Sequence, residues 1–312
     1  MARVAVVAVG GNSLIKDKKH QSVQDQYACI CETVGHMADM IQDGWEVVVT
    51  HGNGPQVGFI LLRSEIAHNE LHDVPVDSAG ADTQGAIGYQ FQKAFRNEFK
   101  RRGLKKEAAT VVTQVVVDAA DPAFQNPTKP IGPFMDEAQA KAHAEADGWN
   151  VMEDAGRGWR RVVASPKPKQ IVELSAIKTL VDAGQVVIAV GGGGVPVVEK
   201  DGELEGVAAV IDKDYASGLL AAKMGADTFL ISTAVEKVYI NFGKPDQKGL
   251  DTLTLAEAKQ YLAEGHFAKG SMAPKVEAAM AFLEAGGECA IITNPENMGK
   301  AVRGESGTRF VR

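Results

Sequence analysis

Three cysteines, Cys29, Cys31 and Cys289, are too few and too scattered for a disulfide framework or a zinc site, so the chain reads as a reduced, cytoplasmic protein. No run of about eighteen apolar residues occurs, and no membrane span is expected. The start, Met1 to Gly10, carries too few leading charges for a secretory signal and passes straight into a glycine turn. Positive charge is not in excess: 33 Lys and Arg against 40 Asp and Glu leave a net charge of -7, which removes the sequence-independent attraction that nucleic-acid binding uses. The densest basic run, Lys100-Arg101-Arg102 with Lys105 and Lys106, falls at a predicted helix end, where cations suit the dipole. The histidines lack any ligand spacing, so no protein-built metal site is expected. The common nucleotide signatures are missing too: GxxxxGKS or GxxxxGKT, HRD with DFG, and GxGxxG after the first strand.

What is present is glycine at the ends of apolar runs. Val4 to Val9 stops at Gly10-Gly11-Asn12, Val47 to Thr50 at His51-Gly52-Asn53-Gly54, and Val186 to Val190 at Gly191-Gly192-Gly193-Gly194. Each run reads as a buried strand whose glycines turn tightly and bare N–H groups to an anion. Strands alternating with helical patterns build a parallel sheet, so the three loops should meet at one carboxyl edge, a site for several phosphates.

Helical spacing is predicted through Tyr27 to Ile41, Ile87 to Phe99, Ile171 to Ala183, Asp214 to Met224, Leu255 to Glu264 and Pro274 to Ala285, with Thr110 to Val117 as one further buried strand. The Phe91, Phe95 and Phe99 stripe reads as core. Between Asp118 and Pro168 the texture changes, with six of the chain's twelve prolines, a short helix near Asp136 to Ala146 and a hairpin signal at Asp154 to Gly158. A segment this long that leaves and re-enters an α/β core reads as an inserted subdomain, placed to act as a lid.

Three lysines stand in unusual settings. Lys213 lies between Asp212 and Asp214 where an apolar stretch ends, Lys275 opens a helix after Gly270-Ser271, and Lys129 sits in Pro127-Thr128-Lys129-Pro130 of the insertion. A lysine in a first helical turn opposes the dipole unless an anion sits there. Taken alone, Lys213 with Asp214 reads as a surface ion pair, Lys129 as a solvated loop residue, and Asn12 and Asn53 as either turn formers or substrate contacts. His51 reads as a loop-shaping residue, since a carboxylate-type acceptor has no proton to remove.

The elements GGN, HGNGPQVG, QGAIGY, NPTKPIGPF, RRVVASPKP, GGGGVPV, AVIDKD, KPDQ and GHFAKGSMAPKVEAA occur in an order and spacing that resemble the amino acid kinase family, in its carbamate kinase branch, from Val4 to Thr308. The resemblance implies a three-layer αβα sandwich with an open, mainly parallel sheet. It implies an N-terminal lobe (1–117 with 169–190) for carbamate or carbamoyl phosphate, a protruding subdomain (118–168) and a C-terminal lobe (191–312) for ATP or ADP. It implies a homodimer, Mg2+ carried with the nucleotide, and reversible phosphoryl transfer, with ATP made from carbamoyl phosphate in arginine catabolism.

By position, Lys213 and Lys275 resemble the lysines flanking the transferred group, Asp214 the acid that organises them, and Lys129 the subdomain lysine that reaches the substrate. Gly10, Gly11, Asn12, Gly52, Asn53 and Gly54 resemble the substrate loops. Gly191, Gly192, Tyr239, Lys244, Pro245 and Lys275 resemble the nucleotide border. Ser13, Asp82 and Ala208 depart from the usual pattern and leave acceptor preference open. Another amino acid kinase with a different acceptor, and a non-catalytic sensor of a phosphorylated metabolite, remain alternatives.

Overall fold

The computed structural model describes every residue except Met1, Asn12, Ser13, Lys16, Lys18 and Ala155. Alternation in β1 (Arg3–Val9) sends Ala5, Val7 and Val9 into one apolar cluster and Val6 and Ala8 into another on the opposite face. Both faces therefore need a cover. α1 (Val23–Gln42), started by reciprocal hydrogen bonds between Ser22 and Asp25, supplies Ile30, Val34, Met37 and Ile41 to the first face. β2 (Trp45–His51) returns parallel to β1, Ala5 opposite Val47 and Val9 opposite His51. α2 (Gly54–Ala67) and α3 (Val76–Arg102) follow, and the phenylalanine stripe of α3 is core as its spacing predicted.

The expected single strand from Thr110 to Val117 is two strands in two sheets, β3 (Ala108–Thr110) and β4 (Gln114–Val117). Buried Thr113 makes the break. Its N–H donates to the Gln84 side chain at 2.7 Å, its hydroxyl accepts from the Val190 N–H at 3.0 Å, and its carbonyl accepts from the Val195 N–H at 2.8 Å. Its backbone bonds thus go to the Gln84 side chain and to Val195 at the start of β10 instead of continuing the ladder with β9.

The insertion folds as β5 (Lys129–Met135), α4 (Glu137–Asp147), β6 (Val151–Glu153) and β7 (Trp159–Val163), an antiparallel sheet in the order β5-β7-β6 with a helix. The chain re-enters through β8 (Pro168–Ile171), α5 (Leu174–Asp182), β9 (Val186–Ile188), β10 (Val195–Lys200) and β11 (Glu203–Gly206). The remainder runs α6 (Lys213–Met224), β12 (Thr228–Ser232), β13 (Val238–Ile240), β14 (Lys248–Leu250), β15 (Thr252–Thr254), α7 (Leu255–Ala263), α8 (Met272–Glu284), β16 (Cys289–Thr293), α9 (Met298–Val302) and β17 (Thr308–Val311).

Among the described residues the main sheet has the order β15-β17-β16-β12-β1-β2-β9-β3, parallel at every pair except β16 with β17. α1, α3 and α9 cover one face, and α5, α6 and α8 the other. This is the expected three-layer αβα sandwich. A second sheet, β11-β10-β4-β8, stands beside it, so the 195–206 hairpin pairs through β10 with β4, a strand of the first half of the chain. Among the described residues no helix is long and apolar enough to cross a membrane.

Candidate active site

Because β1, β2 and β9 are neighbours in one parallel sheet, their glycine loops leave from the same edge. Gly10 is needed there for close approach, since a Cβ would lie 2.7 Å from the Ser232 carbonyl oxygen at the end of β12. The third loop behaves differently from the first two. A Cβ on Gly191 would lie 2.5 Å from Nε2 of His51, and one on Gly192 would lie 2.2 Å from the Asn53 amide nitrogen. The tetraglycine is thus a flat backing against which the loop after β2 packs. Gly192 reaches the cleft, whereas Gly191 is buried behind it.

The cleft has a volume of about 410 Å³. It gathers Gly10, Gly11, Gly52, Asn53 and Gly54 from the two strand exits, Lys213 and Asp214 from α6, Lys275 from α8 and Lys129 from β5. Asn12 lies outside the described residues. Tyr239, Lys244 and Pro245 do not join this group: Tyr239 is half-buried on β13 beside the exposed Phe242, and Lys244 and Pro245 are exposed in the turn that follows.

Asp214 is the centre of the charge arrangement. Its Oδ1 lies 2.6 Å from the Lys213 ammonium and its Oδ2 lies 2.8 Å from that of Lys275, with only 5% of the aspartate side chain exposed. Burial alone would raise its pKa, but Lys213 and Lys275 outweigh burial and hold the carboxyl down at about 2. Burial pushes the Lys213 ammonium the other way, below the ordinary lysine range; Asp214 opposes that shift and Lys275 adds to it. The two directions agree on one picture, a carboxylate ionised at neutral pH that orients two crowded cations.

Both lysines belong to first turns of helices, α6 and α8, whose N-termini already favour negative charge. Lys129 reaches the same cleft from the subdomain and pairs with Asp212 at 3.0 Å. Three lysines against Asp212 and Asp214 leave one positive charge in excess, before any backbone amide is counted. Asp212, quoted in the AVIDKD element without a role, is the residue that sequence reasoning missed. Its place before a helix marks it as an N-cap, and its Oδ1 accepts from the Asp214 N–H at 2.9 Å. Nothing local announces its contact with a lysine 83 residues away.

His51, the last residue of β2, is fully buried, with Nδ1 3.0 Å from the Gly52 carbonyl oxygen and its ring stacked on Phe91 at 6.0 Å. A carbonyl only accepts, so Nδ1 carries the proton. Burial, helped by nearby Lys213, lowers its pKa to about 4, which leaves it a neutral support of the Gly52 loop. A larger cavity, about 1030 Å³, lies between α2, the start of α3 and the subdomain. It is lined by Ala208 but by none of the lysines or glycine loops above, so size is a poorer guide here than convergent charge.

A doubly wound sheet with glycine loops at its carboxyl edge and buried, acid-organised lysines is the layout of a protein that handles phosphoryl groups. The chain belongs to the amino acid kinase family, whose sequence profile matches residues 3–294. It is 52% identical to the carbamate kinase of Thermococcus kodakarensis and 50% identical to the carbamate kinase-like protein YahI of Escherichia coli, each over the full length of both chains. Its fold is similar to that of the carbamate kinase from Giardia lamblia bound to AMP-PNP, with a TM-score of 0.95 and 40% identity over 99% of this chain and 98% of that one.

Proposed function

We propose that this chain is an ATP:carbamate phosphotransferase, passing the terminal phosphoryl group reversibly between ATP/ADP and carbamate/carbamoyl phosphate. The observation that carries the reading is Asp214 holding Lys213 and Lys275 together in the floor of a glycine-lined cleft. Two ammonium groups fixed about one carboxylate are set to meet charge on the transferring group without reorganising, and such positioned charge supplies most of the catalysis in phosphoryl transfer. Full-length similarity to carbamate kinases supports carbamate as the acceptor.

In this reading the loops at Gly10, Gly11, Asn12, Gly52, Asn53 and Gly54 take carbamoyl phosphate, and Lys129 closes over it from the subdomain. Gly192 borders the same cleft. The nucleotide lies toward α6, α8 and the β13–β14 hairpin, bordered by Tyr239, Lys244 and Pro245. We read the nucleotide lobe as residues 191–312, with its strand β10 pairing with β4 of the other lobe. Magnesium rides on the nucleotide phosphates, because Asp212 and Asp214 are both engaged by lysines.

Transfer is direct and in line. His51 does not relay it, with one nitrogen turned to Gly52 and the other covered by Gly191. Carbamoyl phosphate is a mixed anhydride, which favours ATP formation and fits arginine catabolism in the cytoplasm; we also read the protein as a homodimer. Ala208 lines the neighbouring cavity and not the lysine cleft.

Mixing the protein with magnesium, ADP and carbamoyl phosphate should yield ATP, and no ATP above a protein-free control would overturn the reading. A panel of carboxylate and phosphate acceptors separates carbamate from the acceptors of other amino acid kinases.

A further inference from the structure

The RRVVASPKP element has no role in the cleft, yet its lysine is placed unusually. The Lys167 ammonium rests on the face of the Tyr215 ring, 3.1 Å from its centroid, instead of on a carboxylate. Tyr215 is in the first turn of α6, one residue after Asp214, and its hydroxyl donates to Glu277 on α8, two residues after Lys275. Lys167 lies where the subdomain rejoins the core, and its backbone N–H donates at 3.0 Å to the side chain of Asp121, in the connection that follows β4.

Just before it, Ala164 bridges Ala209 in parallel register and its carbonyl accepts from the Val210 N–H at 2.9 Å. At the outgoing end Lys129 pairs with Asp212. Both ends of the subdomain therefore fasten along one short segment, residues 209–215, which is also the lead-in and first turn of the helix that carries Lys213 and Asp214. Along that turn the residues divide: Lys213 and Asp214 make the floor of the cleft, while Asp212 and Tyr215 receive the subdomain's two lysines.

We propose that residues 209–215 are the seat of the subdomain, with Lys167, Tyr215 and Asp212 as positioning residues that set where Lys129 stands over the cleft. The proposal rests on the reading of Lys129 as a substrate contact. Along this segment the subdomain is held by one backbone bridge, one ion pair and one cation–π contact, beside the packing of Ile131 and Val163 on Val76 and Leu61 and the contact of His143 with Glu65, so an anion competing for Lys129 can shift that lysine while the rest of the subdomain stays docked.

The test uses the full-length protein and three variants. Lys167→Met keeps the aliphatic stem and removes the cation; Lys167→Arg keeps a cation that stacks on the ring; Asp212→Asn keeps the helix cap, since asparagine caps as well as aspartate. Lys167→Met should raise KM for carbamoyl phosphate about threefold to fivefold, the size expected for one cation–π contact at a solvent-accessible site, with kcat and the KM for ADP unchanged. Amide exchange across 129–163 should quicken by a similar factor in the unliganded protein. Asp212→Asn should quicken exchange across 129–163 as well, the double variant should exceed either alone in that readout, and Lys167→Arg should keep both KM and exchange at the wild-type values.

Unchanged KM and unchanged exchange in the double variant would overturn the seat. So would a fall in kcat with exchange unaltered, which would place these residues among the reacting groups. If the wild-type protein makes no ATP from carbamoyl phosphate, the functional reading fails, while the exchange measurement still decides the seat.

Discussion

The floor and the roof of the cleft use the same chemistry at different depths. In the floor, Lys213 and Lys275 have side chains only 13% and 14% exposed and share the buried carboxylate of Asp214; in the roof, Lys129 is 34% exposed and pairs with Asp212, itself 21% exposed. Depth decides what an ion pair can do. A buried pair whose members are all engaged is rigid, because breaking it strands a charge away from water. A half-exposed pair exchanges readily with solvent and contributes little to stability. In the proposed reading the floor holds charge still during transfer, and the roof lets go of Asp212 when an anionic substrate arrives.

The sharpest way to break this comparison is to empty the floor. Lys213→Ala or Lys275→Ala should each lower kcat by about a hundredfold or more with the fold retained by circular dichroism, as loss of a preorganised charge does. Asp214→Asn should follow more weakly, by loosening both lysines at once. Near-normal turnover in both lysine variants would make the floor a structural ion cluster.

The roof should behave otherwise. Lys129→Ala should reduce kcat/KM for carbamoyl phosphate by about tenfold while ADP affinity stays intact, and exchange across 118–168 should no longer slow when both ligands bind. A kcat loss as large as that of the floor variants would erase the distinction drawn here. Gly11→Val probes the wall between them: a Cβ on Gly11 meets no described heavy atom within 4 Å, so valine would project into open space lined by the substrate loop. Calorimetry should show carbamoyl phosphate binding weakened well beyond ADP binding; equal losses would contradict the division of ligands.

Two smaller effects come from pH. Lys213 must be charged to act, and burial has lowered its pKa, so kcat should decline with rising pH before the ordinary lysine value of 10.5 is reached. A Lys213→Arg variant that retains activity should lose that alkaline limb, and an unchanged limb would assign it to another group. Stability at acid pH should fall in two stages, because both groups concerned have folded pKa values below their unfolded ones. His51, at about 4 against 6.5, contributes above pH 6.5 and loses that contribution as pH drops through about 4; Asp214, at about 2 against 3.8, loses its own between about pH 4 and 2. The His51 stage is on the order of 3 kcal/mol and should be absent from the pH dependence of the melting temperature of His51→Asn.

Several features were legible because they depend on neighbours along the chain. Two-sided burial makes a parallel strand a continuous apolar run, as in Val47 to Thr50, and a proline-dense tract with a hairpin signal marks an insertion. The break at Thr113 was not legible, since it depends on Gln84 and Val190 approaching from other elements. Nor was the use of the tetraglycine: glycine advertises backbone freedom without saying whether a ligand or another loop will occupy the space, and here His51 and Asn53 do.

Residue type and local spacing determined that this chain has an α/β core, three glycine loops at strand ends, an inserted subdomain and lysines in first helical turns where an anion must answer them. Tertiary structure alone decided that Asp214 takes Lys275 from 61 residues away and that Asp212 takes Lys129 from 83. The reason is physical. A strand or a helix start is specified by bonds and packing within a few residues, but the partner and depth of a charge are set by which elements the sheet order brings together, and depth separates a buried, fixed ion pair from an exposed, exchangeable one.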